Sequence, residues 1–200
     1  MIEYLLGFFW ALTYVFIVIG GFKYRSEKKF FMPLLSGALN FGWEVHALRS
    51  SGGYWVHIIW LALDFIILIQ NLYFLSTNKK RLLYSACVIT SVAVNYAAFN
   101  LTTIDGMLIS SFVIDIIMAV EYVIVIKKLS PRMMILIGCL RLLGDLFAWI
   151  ANLSFSIFVR ITGVLIFFIN LFYICYALEI LSAKKNTHQK KALHTYHKKR

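Results

Sequence analysis

Two short stretches carry the residues best suited to chemistry, Asn40-Phe41-Gly42-Trp43-Glu44 and Trp60-Leu61-Ala62-Leu63-Asp64. Each lies inside an apolar run long enough to cross a bilayer, where an ionisable side chain at the helix centre costs roughly 2.5–3.5 kcal/mol on insertion scales. Groups held at that cost mark function by default. Helical i, i+3, i+4 spacing puts Asn40, Trp43 and Glu44 on one face, and i, i+4 spacing does the same for Trp60 and Asp64. Two acids, each flanked by a tryptophan, are therefore expected to look into one cavity. Glu44 has no cation at i±3 or i±4 on its own helix, and a lone carboxyl in an apolar pocket favours its neutral form. Such a group holds a proton at neutral pH and suits two chemistries. It can donate the proton to a substrate as general acid, or load and unload it as a transporter does. Tryptophan faces nearby would stabilise a cation, either a carbocation on a substrate or a fixed ammonium.

Other polar residues recur at helical spacing. His57, Trp60, Asp64 and Asn71 form one stripe, and Arg141, Asp145 and Trp149 repeat the device in a later run. Counted from the outer helix ends at ~1.5 Å per residue, Glu44, Trp60 and Asn95 fall at similar depth, with Asp64, Asp115 and Asp145 nearer the midplane. The expected pocket is thus lined by Asn40, Trp43, His57, Trp60, Asn95, Asp115 and Asp145 around the two acids. Each of these also has a structural use. Arg141 and Asp145 at i, i+4 read as an ion pair, and Asp115 and Asn95 as interhelical hydrogen-bonding groups. His57 and Trp55 read as members of an interfacial belt, and Glu121 and Glu179 lie where they can reach boundary lysines.

These residues must be positioned by membrane-spanning helices. The chain is 61% hydrophobic and 14% charged, with a mean hydropathy of +0.79. A soluble globule has an apolar share of about 45–50%. The net charge of +11 lies in short hydrophilic breaks and a tail, with no groove or stripe on a folded domain that would bind nucleic acid. Cys87, Cys139 and Cys175 are widely spaced within apolar runs and read as small buried hydrophobes, with neither a disulfide framework nor metal-ligand spacing.

Seven apolar runs cover residues 2–22, 31–48, 54–76, 82–100, 105–126, 133–151 and 155–181, most of them near the ~20 residues that span the hydrocarbon. The first begins without the basic region or cleavage site of a signal peptide and reads as a mature helix. All lysines fall after the first, third, fifth and seventh runs, whereas the alternate breaks carry only Arg49. The positive-inside rule then puts the N-terminus outside and the tail in the cytoplasm. The expected fold is an all-α membrane protein of seven transmembrane helices, with a transmembrane domain over 1–183 and a basic cytoplasmic tail over 184–200. Pro33 and Pro131 stand at helix starts, where a missing N–H is harmless. Aligning Glu44 with Asp145 also aligns Gly37 with Gly138, and a slightly larger offset aligns Asp64 with Asn170. This pattern predicts two three-helix units joined by the fourth helix, a 3+1+3 repeat of the kind some transporters have. The tail, with His188, His194 and His197 spread through it, reads as a segment lying against anionic headgroups. Asn100-Leu101-Thr102 and Asn152-Leu153-Ser154 match the glycosylation sequon but lie too near the membrane to be used.

At the two acidic stretches the sequence resembles the integral-membrane terpene cyclases of fungal meroterpenoid and indole-diterpene pathways, the paxilline-type family, which also has bacterial members. These are small seven-helix proteins with an Asn-x-x-Trp-Glu signature on helix two and a Trp-x-x-Leu-Asp-like signature on helix three, matched here by Asn40, Trp43 and Glu44 and by Trp60, Leu63 and Asp64. The resemblance implies acid-initiated cyclisation of a linear prenyl chain or its terminal epoxide, with no metal, no cofactor and no loss of diphosphate. Glu44 carries over as proton donor and Asp64 as its acidic partner. The family's aspartate on the last helix is replaced by Asn170, so either Asp64, Asp115 or Asp145 takes the role of second acid or this member does something else, with Asn170 still expected at the pocket. The implied partners are a lipophilic prenylated substrate and membrane lipid. The implied location is the cell membrane in a bacterium or the endoplasmic reticulum in a fungus. A small-solute transporter of 3+1+3 architecture and a lipid-binding membrane protein are the alternatives that the residues leave open.

Overall fold

The computed structural model describes residues 2–23, 32–50, 54–101, 104–125 and 130–198. The basic break at 24–31, the lysines at 127 and 128, and residues 51–53 and 102–103 lie outside the described residues. Among the described residues seven helices follow one another: α1 (Ile2–Lys23), α2 (Leu34–Ser50), α3 (Trp55–Phe74), α4 (Asn78–Leu101), α5 (Ile104–Val125), α6 (Pro131–Ala151) and α7 (Ile157–Lys198). No strand occurs among the described residues. Six of the helices are long and apolar enough to cross a membrane; α2, with 17 residues, is the exception. Helices suit such a setting because each satisfies its backbone N–H and C=O groups internally.

The helix ends have local causes. Pro33 precedes α2, and its carbonyl accepts the first helical bond from the Gly37 N–H at 2.9 Å. The next exposed donors of that helix start are met from another helix, since both the N–H and the hydroxyl of Ser36 donate to Glu121 on α5. Glu121 therefore caps a helix, and the nearest boundary lysines, at 28, 29, 127 and 128, lie outside the described residues. Pro131 occupies the first turn of α6. Thr77 accepts from the Lys80 N–H at 3.3 Å and starts α4 within the basic break, about one turn earlier than the apolar run predicts. At the other end of the chain, α7 continues through the basic segment to Lys198, 42 residues in all. At ~1.5 Å per residue it is about twice as long as the hydrocarbon is thick.

Packing arranges six helices as a closed ring in the order α1, α3, α2, α5, α7, α6 and back to α1, with α4 outside against α2. The largest buried cluster runs through this ring and includes Trp10, Tyr14, Trp60, Met118, Tyr122, Ile137 and Tyr173. The α2–α4 seam depends on Gly42, where an added Cβ would come within 2.7 Å of the Ser91 carbonyl carbon and 2.8 Å of the Val92 nitrogen. Close backbone approach through a small residue is the usual way membrane helices associate. The same seam carries a bond from Ser91 Oγ to the Leu39 carbonyl at 3.2 Å and one from His46 Nε2 to the Val92 carbonyl at 2.9 Å. Gly42→Ala should separate the two helices and cost about 1–3 kcal/mol of stability. Thermal unfolding in detergent checks this, and a loss under ~0.5 kcal/mol would show that the backbones adjust freely.

Candidate functional site

A cavity of about 300 Å³ lies inside the ring, among the N-terminal halves of α1, α3 and α5 and the C-terminal halves of α2 and α6. α2 contributes Asn40, Trp43 and Glu44, the face that its i, i+3, i+4 spacing dictates. α3 contributes Val56, His57 and Trp60, and Tyr54 stands just before it. α5 contributes Met107, Leu108, Ser111, Phe112, Ile114 and Asp115. α1 supplies Glu3, Leu6, Trp10 and Tyr14, and α6 supplies Ala148, Ala151 and Asn152. Six aromatic side chains, Trp10, Tyr14, Trp43, Tyr54, Trp60 and Phe112, stand in the walls, and among the described residues the carboxyl groups that reach the cavity are those of Glu3, Glu44 and Asp115.

Glu44 is 2% exposed and is contacted by His57, whose Nδ1 lies 2.9 Å from Glu44 Oε2. That contact corrects two readings. Glu44 has a basic partner after all, from the neighbouring helix, and His57 belongs to the cavity, not to an interfacial belt. Trp55 alone fits the belt, half-exposed and stacked on Tyr4 at 6.5 Å. Trp43 is fixed by its indole N–H, which donates to Ser110 Oγ at 3.2 Å and to the Met107 carbonyl at 3.3 Å. This tie holds its ring against His57 at 5.8 Å and Phe99 at 6.2 Å.

Asp64 does not face the cavity, contrary to the expectation of two acids looking into it. One helical turn beyond Trp60, it lies behind Asn40, whose amide donates to Asp64 Oδ2 at 2.7 Å and to the Tyr14 hydroxyl at 2.6 Å. Asn40 and Tyr14 stand between the cavity and Asp64, so Asp64 meets the cavity wall through its bond with Asn40. Tyr14 was not singled out from the sequence. A signal for it exists in the Gly7, Trp10, Tyr14, Ile17 stripe along one face of α1, all of them buried.

Three further expected lining residues lie elsewhere. Asn95 sits on the outer helix α4, and its amide donates to Ser91 of its own helix at 3.0 Å. Asp145 and Asn170 belong to a second buried polar group. There the Asn170 amide donates to Asp145 Oδ2 at 2.6 Å, with Arg141 Nη2 3.9 Å from the same oxygen. The Arg141 guanidinium rests over the Tyr122 ring at 4.6 Å and near Trp10 at 5.9 Å. α6 approaches α1 closely here because Gly144 leaves room for the Trp10 ring, 2.8 Å from where a Cβ would stand. Among the described residues no three histidine, cysteine or carboxylate side chains converge as a metal site.

The arrangement offers a buried acid with a hydrogen-bonding base beside it, a half-buried second carboxyl at Asp115, and aromatic faces around a space for an apolar ligand. No protein-family model, curated protein or solved structure matches this chain.

Proposed function

We propose that this protein is a membrane terpene cyclase which starts ring closure by protonating a linear prenyl chain or its terminal epoxide. The observation that carries the reading is the Glu44 carboxyl, buried at the wall of a cavity whose lining includes the aromatic faces of Trp10, Trp43, Tyr54, Trp60 and Phe112. The Glu44 O–H bond breaks as a new bond forms from that proton to a substrate carbon or epoxide oxygen. The cation moves along the chain as rings close, and the last cation loses a proton that returns to the Glu44 carboxylate, which gives a neutral product of unchanged mass and restores the acid. Aromatic faces stabilise each cation without capturing it covalently, and an apolar cavity keeps out water that would quench it. The Asn40, Trp43, Glu44 and Trp60, Leu63, Asp64 resemblance supports the same reading.

In this proposal α2 is the seventh span, the N-terminus is outside and the C-terminus is cytoplasmic, as the lysine distribution favours. The cavity then lies in the outer half, where a lipophilic substrate enters from the bilayer. A cytoplasm-active reporter should function when fused after Arg200 and fail when inserted at Gly52. Function at both positions would overturn the orientation or the span count. The activity itself is tested by extracting lipids from cells that express the protein with candidate prenylated substrates. A cyclic isomer absent from the Glu44→Gln control is the expected result, and an unchanged acyclic substrate across the candidates would count against the reading.

One observation favours a second reading, a small-solute transporter. Within the six-helix ring, exchanging α1, α2 and α3 for α5, α6 and α7 keeps the order of neighbours: α1 on α3 matches α5 on α7, α2 on α3 matches α6 on α7, and α1 on α6 matches α5 on α2, whereas α4 packs chiefly on α2 and does not share the exchange. That pattern supports a 3+1+3 repeat about α4, which transporters share. Proton-coupled solute flux in proteoliposomes without any covalent product would select the transporter.

A further inference from the structure

Among the described residues, Glu44 has one hydrogen-bonding partner, His57. Two neighbouring donors are committed elsewhere, whereas the Trp60 indole N–H on the same cavity has no hydrogen-bond partner among the described residues. Both Asn40 amide bonds go to Tyr14 and Asp64, and the Trp43 indole N–H goes to Ser110 and Met107. The remaining ionisable groups that line the cavity are oxygen acids: Glu3 and Tyr14 from α1, Tyr54 just before α3 and Asp115 from α5, with Asp64 behind Asn40. α6 presents only Ala148, Ala151 and Asn152 to the cavity. Among the described residues His57 is therefore the one basic side chain on the cavity placed to meet the charge of a carboxylate formed at Glu44.

We infer that His57 is a positioning residue for the Glu44 acid, donating from Nδ1 to Oε2 so that Oε1 carries the transferable proton and the carboxylate left behind is stabilised. The ring is well placed to hold one orientation. It packs against Trp60 at 5.5 Å and 83°, Tyr54 at 6.1 Å and 66°, and Trp43 at 5.8 Å and 56°. Three aromatic neighbours from α2, α3 and the segment before α3 thus fix the plane from which Nδ1 reaches the carboxyl. The side chain of His57 is 14% exposed against 2% for Glu44, so the imidazole stands on the open side of the acid and not beneath it. A preorganised donor aimed at the oxygen where charge develops lowers the barrier to proton transfer, because it need not reorient as the charge appears.

The inference rests on the cyclase reading for its kinetics, but its chemistry is testable without any substrate. His57→Leu removes the donor, and His57→Asn restores an N–H close to the Nδ1 position. With an accepted prenyl substrate, His57→Leu should lower kcat about 10- to 100-fold with little change in KM, and His57→Asn should recover most of the loss. A purely packing role predicts no recovery with asparagine. In the substrate-free protein in lipid nanodiscs, infrared spectroscopy resolves the carbonyl stretch of protonated Glu44, identified by its disappearance in Glu44→Gln. That band should move to higher wavenumber in His57→Leu and stay near its native position in His57→Asn. An unmoved band in His57→Leu, or a rate that rises when the imidazole is removed, overturns the inference. A shifted band in a protein that cyclises nothing would refute the cyclase reading and leave the Glu44–His57 assignment standing.

Discussion

Glu44→Gln should abolish cyclic product while the protein inserts and purifies in normal yield. The amide keeps the shape of the side chain and can still accept from His57, so the cavity and the α2–α3 contact survive. What disappears is the transferable proton, and general acid catalysis by a positioned side chain typically contributes about 10²–10⁴-fold. Product formation should fall by at least that range. Asp64→Asn should impair turnover less, because Asp64 acts at one remove through Asn40. Rates of both variants on one prenyl substrate check the ordering. Full cyclisation by Glu44→Gln would sink the proton-donor assignment, and loss of folded protein in both variants would return these residues to a structural role.

The largest loss of stability is expected from Arg141→Met. Arg141 is 1% exposed and Asp145 5% exposed, and the two lie between Trp10, Tyr122 and Asn170. Removing the guanidinium leaves Asp145 without its counter-charge away from water, which costs about 3–5 kcal/mol for a buried pair. Replacing both partners is much milder, since neither charge remains buried. Arg141→Met combined with Asp145→Asn should therefore regain more than half of the loss, with an amide at 145 still able to bond Asn170. Unfolding in detergent or bicelles measures both variants. A single-variant loss under ~1 kcal/mol would show that this group is hydrated from the cavity instead of sealed within the bundle.

Much of the helical organisation was legible in the chain itself. The apolar runs locate all seven helices to within a few residues at most ends, because a long apolar segment in lipid has to close its own backbone hydrogen bonds. The departures occur where side chains other than apolar ones act. Thr77 caps α4 inside a basic break, and α7 runs on through a basic segment whose lysines are good helix formers. The one-helix motif was equally readable: Asn40, Trp43 and Glu44 share a face since helical periodicity is a local property.

What the sequence by itself determined is thus the membrane character of the helices and the face that each polar stripe occupies. Only the tertiary structure decided which faces meet. It placed His57 against Glu44, slid Asn40 and Tyr14 over Asp64, moved Asn95 to an outer helix, and joined Asn170 to Asp145 away from the cavity. The physical reason lies in the helix contacts. Lipid is as apolar as the side chains, so hydrophobicity does not choose partners between helices. Partner choice falls to close-fitting contacts such as Gly42 on Ser91, Gly144 on Trp10 and Gly138 on Tyr173, and spacing along one helix carries no record of the surface it will meet on another.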